Sequence, residues 1–160
     1  MATEKLKFKI ELYATMWNKA PRVEVKLNDT SYFKDNVSAT EEKTQIIEFE
    51  HECENGHPYD LNITLSEKDI RQTKIGEKGE VLKDQLLHIK SIEIDEIDVG
   101  ALIYEGVYTP EYPELWASQQ REAGTELKES FKNATDLGHN GTWRFKFSSP
   151  FYMWLLENLY

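Results

Sequence analysis

Near the start of the chain, Leu6, Phe8, Ile10 and Leu12 alternate with Lys7, Lys9 and Glu11. Successive side chains of a β-strand point to opposite faces, so this spacing predicts a strand with one apolar and one wet face. The pattern returns at Val23, Val25 and Leu27, at Ile47 and Phe49, and at Tyr59, Leu61, Ile63 and Leu65. It returns again at Trp143, Phe145 and Phe147, between Arg144 and Lys146. Turn signals separate these segments: Asn28-Asp29-Thr30, leading into a short return strand over Ser31–Phe33, and Glu54–Pro58. No strand–helix alternation runs through them, so a parallel sheet is not expected. Roughly seven or eight short strands with one apolar face each are best buried as two stacked sheets. The fold class is therefore mainly β: an antiparallel, jelly-roll-like β-sandwich.

Leu86–Val99 is the longest strand candidate, and its apolar parity changes twice. Leu87 and Ile89 are odd, Ile92 and Ile94 even, Ile97 and Val99 odd again. A strand needs a bulge or a break to do that, so irregularities are expected near Lys90-Ser91 and near Asp95-Glu96. Ser66–Asp84 is charged, carries Gly76 and Gly79, and reads as a long loop with room for a short hairpin. After Gly106, Pro113 suits the first turn of a short helix. Thr125–Asn133 suits a second, with Thr125 as N-cap and Leu127 and Phe131 one turn apart. Asn140-Gly141 is a hairpin signal. Ser149-Pro150 reads as a helix start leading into a C-terminal segment, where Phe151, Trp154, Leu155 and Leu159 form one stripe. A chain of 160 residues is expected to form one domain. Its core would cover about 6–104 and 142–148, with a helical or irregular insertion over about 105–141 and a docked C-terminal helix or tail over 149–160.

The net charge is −10, which disfavours nucleic acid and anionic membrane as partners. The N-terminal MATEKLKFKIELY has no apolar signal region, and the apolar run near Phe151–Leu156 is too short to span a bilayer. Cys53 is the lone cysteine, so no internal disulfide can form. These features point to synthesis in a cytoplasm.

Catalytic signals are sparse. His51, His57, His88 and His139 have no metal-ligand spacing. Cys53 lies between Glu52 and Glu54, whose charges oppose a reactive thiolate. No G-x-S-x-G elbow, P-loop or G-x-G-x-x-G is present. With 29 acidic residues, a coincidental pair of carboxylates carries no weight. A non-catalytic protein is expected.

Three groups of residues are candidates for binding. Trp17 and Asn18 follow the first strand, where an indole can stack on a sugar ring; the alternative is a Met16/Trp17 plug closing the sandwich. Tyr104, Tyr108, Tyr112 and Trp116 share one stretch with Pro110 and Pro113. A stiff aromatic segment suits packing on its own sheet, a protein interface or a sugar platform, with Tyr108, Tyr112 and Trp116 as the ligand contacts. Phe151 and Trp154 either dock on the core or join that interface. Asp95 and Asp98, around the strand irregularity, with Asp69 from the long loop, could supply carboxylates to calcium. The alternative is a wet face of an acidic protein.

The order of features resembles the small jelly-roll carbohydrate-binding modules that bind xylan-type sugars with calcium. Those open with I-x-x-x-A and V-x-V-x-V/L-N-G-x, and end with I-x-I-D-x-I-x-V-x-G. Here the counterparts are Ile10-Glu-Leu-Tyr-Ala14, Val23-Glu-Val-Lys-Leu-Asn28-Asp29 and Ile92-Glu-Ile-Asp95-Glu-Ile97-Asp98-Val-Gly100. The resemblance covers residues 6–100 and implies a calcium-assisted, sugar-binding sandwich. In style, the acidic, cysteine-poor, β-rich chain also resembles the small virion proteins of tailed phages. The expectation is thus a binding or structural protein of a phage-like virion or assembly, contacting partner subunits or further copies of itself. The alternative is a monomeric, calcium-assisted module for a polysaccharide.

Overall fold

The computed structural model describes residues 2–159, the side chains of Ile70 and Leu159 excepted. In chain order the elements are β1 (Thr3–Thr15), β2 (Arg22–Leu27), β3 (Thr30–Asn36), β4 (Gln45–Glu54) and β5 (Pro58–Ser66). Next come β6 (Thr73–Ile75), β7 (Val81–Asp84), β8 (Leu86–Ile94), β9 (Ile97–Asp98) and β10 (Val107–Pro110). The chain ends with α1 (Trp116–Glu122), β11 (Phe131–Lys132), β12 (Asp136–Leu137), β13 (Gly141–Ser148) and α2 (Phe151–Leu159).

One sheet has the order β12-β8-β1-β4, with β9 folded back on β8. The other has the order β11-β10-β13-β5-β2-β3, and β6-β7 form a separate hairpin. Every ladder is antiparallel. The alternating apolar residues of the sequence face inward: Leu6, Phe8, Ile10 and Leu12 meet Val23, Val25, Leu27, Leu61, Ile63, Trp143, Phe145 and Phe147 in one core. Phe8 and Phe147 touch across the two sheets, with ring centroids 5.9 Å apart. Burying a side chain of this size contributes about 1.5–3 kcal/mol.

Both parity changes of the long strand have a structural cause. Opposite β1, Glu11 pairs with Ser91 and Leu12 with Ile89, so Lys90 is the extra residue of a bulge. The bulge lets Ile89 and Ile92 both face the core. Asp95 and Glu96 then form a two-residue turn between the paired Ile94 and Ile97. Both have positive φ, 52° and 65°, as a tight primed hairpin turn demands.

Two local expectations are corrected. Thr125–Asn133 is not a helix: it runs irregularly into β11, where Phe131 pairs with Tyr108 at the sheet edge. Leu127 and Phe131 alone give a helix little to bury, whereas the edge gives Phe131 a partner in Tyr108. Asn140-Gly141 is not a hairpin turn either, because β12 lies in one sheet and β13 in the other. Gly141 serves close approach instead: a Cβ there would lie 2.4 Å from the Thr109 carbonyl oxygen. The 105–141 stretch supplies β10 and β11 to one sheet and β12 to the other.

α2 docks on the sandwich through Phe151 and Leu155, both buried, and through a half-buried Trp154 whose ring lies 5.7 Å from that of Phe145. The Glu4 carboxylate accepts hydrogen bonds from the Ser149 hydroxyl and from the Phe151 N–H (2.7 Å), capping the helix. Phe151 therefore belongs to the core of its own chain and is not free for a partner. The side chain of Leu159 lies outside the described residues. No helix of the described residues is long and apolar enough to cross a membrane.

Candidate functional site

The ends of β1, β5 and β10 and the starts of β2, β8 and β13 meet at one end of the sandwich, as their register requires. Three loops and the β6–β7 hairpin gather there around a buried lysine. The Lys68 ammonium, with its side chain 9 % exposed, pairs with Asp84 at 2.7 Å and donates to the carbonyls of Gln85 (2.9 Å) and Gly138. All three of its protons are thus used, which a buried ammonium requires. Asn140 brackets the Lys68 main chain, accepting from its N–H and donating to its carbonyl, both at 2.9 Å. Beside it, Gln72 and Gln85 are fully buried. Gln72 donates to the Asn18 side chain (2.9 Å) and Gln85 to the Lys19 carbonyl (3.1 Å). These bonds tie the Trp17–Lys19 bend to the rest of the end.

Two aromatic features stand on this base. In the first, His139 lies 5.3 Å from Tyr112 and 5.4 Å from Trp116, ring to ring, and those two rings are 6.0 Å apart. All three are half-buried. The Tyr112 hydroxyl donates to the Lys128 carbonyl at 2.6 Å, which fixes its ring. Burial, followed by the nearby Lys68 charge, pulls the His139 imidazole below its ordinary pKa of 6.5, so the ring is neutral at pH 7. Tyr108 lies beneath and is buried. Its hydroxyl donates to the His139 carbonyl and accepts the His139 N–H at 2.9 Å. Tyr108 is thus corrected from a ligand or interface residue to a support that holds His139 in place.

In the second feature, the half-buried Trp17 stands in a tight bend. It bridges to Lys19 across Asn18, whose φ is 74°. The ammonium groups of Lys83 and Lys74 lie 4.7 and 5.7 Å from the Trp17 ring centre. Met16 is exposed beside it, so the pair does not plug the core.

The other candidates lie elsewhere. Tyr104 and Trp154 sit toward the far end: Tyr104 precedes β10, and Trp154 packs on Phe145 and Phe147 late in β13. Asp95 accepts the Lys7 N–H at 2.8 Å, and Asp98 the Gly100 N–H at 2.7 Å. Asp69, by contrast, is at the loop end, gripped by Arg71 at 2.7 Å. The hydrogen bond from Arg71 holds its carboxyl down at about 2. At about 3.3 Å per residue, roughly 26 Å of β1 separates the Lys7 level from the Thr15 level, so Asp69 and Asp95 cannot share an ion. Among the described residues no three His, Cys, Asp or Glu side chains are grouped to hold a metal. Asp69, Asp95 and Asp98 therefore do not form one calcium site, which takes six to eight oxygens.

Sequence reasoning missed His139, because a histidine inside a turn motif carries no pattern of its own. It also missed a row on the outer sheet face. There Asp136 lies 2.6 Å from Nδ1 of His88, and Thr15 Oγ1 lies 2.7 Å from Nε2. Nδ1–H donates to the carboxylate, which can only accept. The Tyr13 ring stacks on the imidazole at 4.5 Å, and the row fastens β12 to β8 and β1.

Compared as structures, the chain is similar to the carbohydrate-binding module vCBM60. A selenomethionine form of that module aligns at 10 % identity and a TM-score of 0.50, covering 88 % of this chain and 89 % of that one. It is described with a circular permutation linking two families of calcium-dependent carbohydrate binding modules. vCBM60 in complex with galactobiose aligns at 10 % identity and a TM-score of 0.49, covering 87 % of this chain and 96 % of that one. At such identity the likeness shows the fold alone: a β-sandwich of the carbohydrate-binding-module type. No protein-family model and no curated protein matches the chain.

Proposed function

We propose that the chain is a non-catalytic carbohydrate-binding module whose site is the loop end of the sandwich. A fold by itself carries no function. The observation that supports this reading is the half-buried Tyr112, Trp116 and His139 group, held on a base of buried hydrogen bonds, with Trp17 at the same end. Aromatic faces take the apolar faces of pyranose rings, and a neutral imidazole exchanges hydrogen bonds with hydroxyls. A base fixed in advance lowers the ordering cost of binding. The likeness in fold to a carbohydrate-binding module agrees with the reading, and calcium has no part in it. The test is a tryptophan-fluorescence titration of the whole chain against a panel of neutral and acidic oligosaccharides. A saccharide-dependent change is expected that EDTA leaves unaltered and that Trp116→Ala weakens about tenfold or more. A folded chain that responds to no saccharide would sink the proposal.

A second reading is the role of an assembly component of the virion type. It rests on the outer face of α2, where Tyr152, Met153 and Leu156 are 61, 58 and 44 % exposed. Under it, mass by light scattering rises with concentration and Met153→Glu abolishes the rise. A constant monomer mass removes it.

A further inference from the structure

We infer that the loop-end site selects an acidic saccharide, holding a carboxylate between Lys74 and Lys83 above Trp17. The inference rests on the carbohydrate-binding reading and names the sugar class. Lys74 and Lys83 face each other directly in the β6–β7 ladder. Like charges opposite one another on a ladder repel. Both ammonium groups converge on one indole, 5.7 and 4.7 Å from its centre. The π-face offsets part of that repulsion, and an anion between the two would offset more. Lys19 adds a third positive charge across the Trp17 bend. Among the described residues none of these three lysines has an ion-pair partner.

The acids nearby are largely engaged. Asp69 is taken by Arg71, and Asp84 by Lys68 and the Thr73 hydroxyl. Glu80 turns back to accept the Lys78 N–H at 3.0 Å, which leaves Glu77 at the hairpin tip. In a chain of net charge −10, three lysines without ion-pair partners beside one indole are a local concentration of positive charge. Two ammonium groups over one indole match the carboxylate of a uronic acid.

The test measures binding of the full chain to tetragalacturonate, to its carboxyl-reduced neutral tetrasaccharide, to pentaglutamate and to inorganic phosphate. The uronate oligomer is expected to bind at least about tenfold tighter than the neutral one at low salt, the difference shrinking as salt rises. Lys74→Gln with Lys83→Gln is expected to remove that difference while neutral binding persists. Equal affinity for acidic and neutral oligomers overturns the inference. So does a preference that survives the double substitution, or binding of pentaglutamate or phosphate as strong as that of the uronate. Neutral binding without acid preference defeats this inference alone, whereas no saccharide binding at all defeats the carbohydrate reading with it.

Discussion

Cys53 is fully buried on the inner side of β4, directly across the ladder from Glu4. Burial, and after it the Glu4 charge, pushes its thiol up to about 12. The direction matches what Glu52 and Glu54 suggest in the sequence, but the causes differ. Flanking side chains in a strand point to the opposite face, so the charges that act come from other segments, Glu4 in the next strand first and Asp95 after it. Burial likewise pushes Tyr108 up to about 12. Both groups start from lower values when unfolded, 9.0 and 10.0. The unfolded chain therefore ionises first, and the stability they contribute is complete below pH 9 and is lost as pH rises toward 12. Denaturant midpoints are expected to fall steadily across that window, with Cys53→Ala removing the earliest part of the fall. A midpoint flat to pH 11 would contradict the assignment. His51 and His139, both lowered by burial, add the opposite limb: stability present above 6.5 and lost as pH falls below it.

At the scale of elements, the β8–β9 turn holds a glutamate where the backbone favours glycine. Glu96 sits at φ 65°. The left-handed conformation costs a side-chain-bearing residue about 1–2 kcal/mol, and glycine's extra freedom when unfolded costs about 0.5–1 kcal/mol. Glu96→Gly should therefore stabilise the chain by about 0.5–1 kcal/mol, read as a higher urea midpoint at unchanged slope. A lower midpoint would show that the Glu96 side chain makes contacts worth more than the strain. The turn and the Lys90 bulge were legible because changes of parity along a strand have few physical solutions. Thr125–Asn133 was not, because its local helix signals were weak and the competing partner, Tyr108, is remote in sequence.

For the whole molecule, the decisive fact is which end each loop reaches. Asp69 and Asp95 lie at opposite ends of β1, so millimolar calcium is expected to leave the melting temperature within about 1 °C. A specific ion at a hundred times its dissociation constant would add about 2.7 kcal/mol and raise the melting temperature by several degrees. A rise of that size would mean that the loops rebuild themselves around the ion.

The alternation of apolar and polar residues, read alone, determined the sandwich, its inward faces and the site of its bulge, because strand periodicity is a local property of the chain. It also put Trp17, Asn18, Tyr112 and Trp116 among the residues to watch. Only the tertiary structure brought these four to one end, sent Phe151 and Tyr108 into the interior and set Lys74 and Lys83 over Trp17. Those outcomes depend on which strands pair and in which register, and pairing joins residues far apart in the chain through contacts that leave no local pattern.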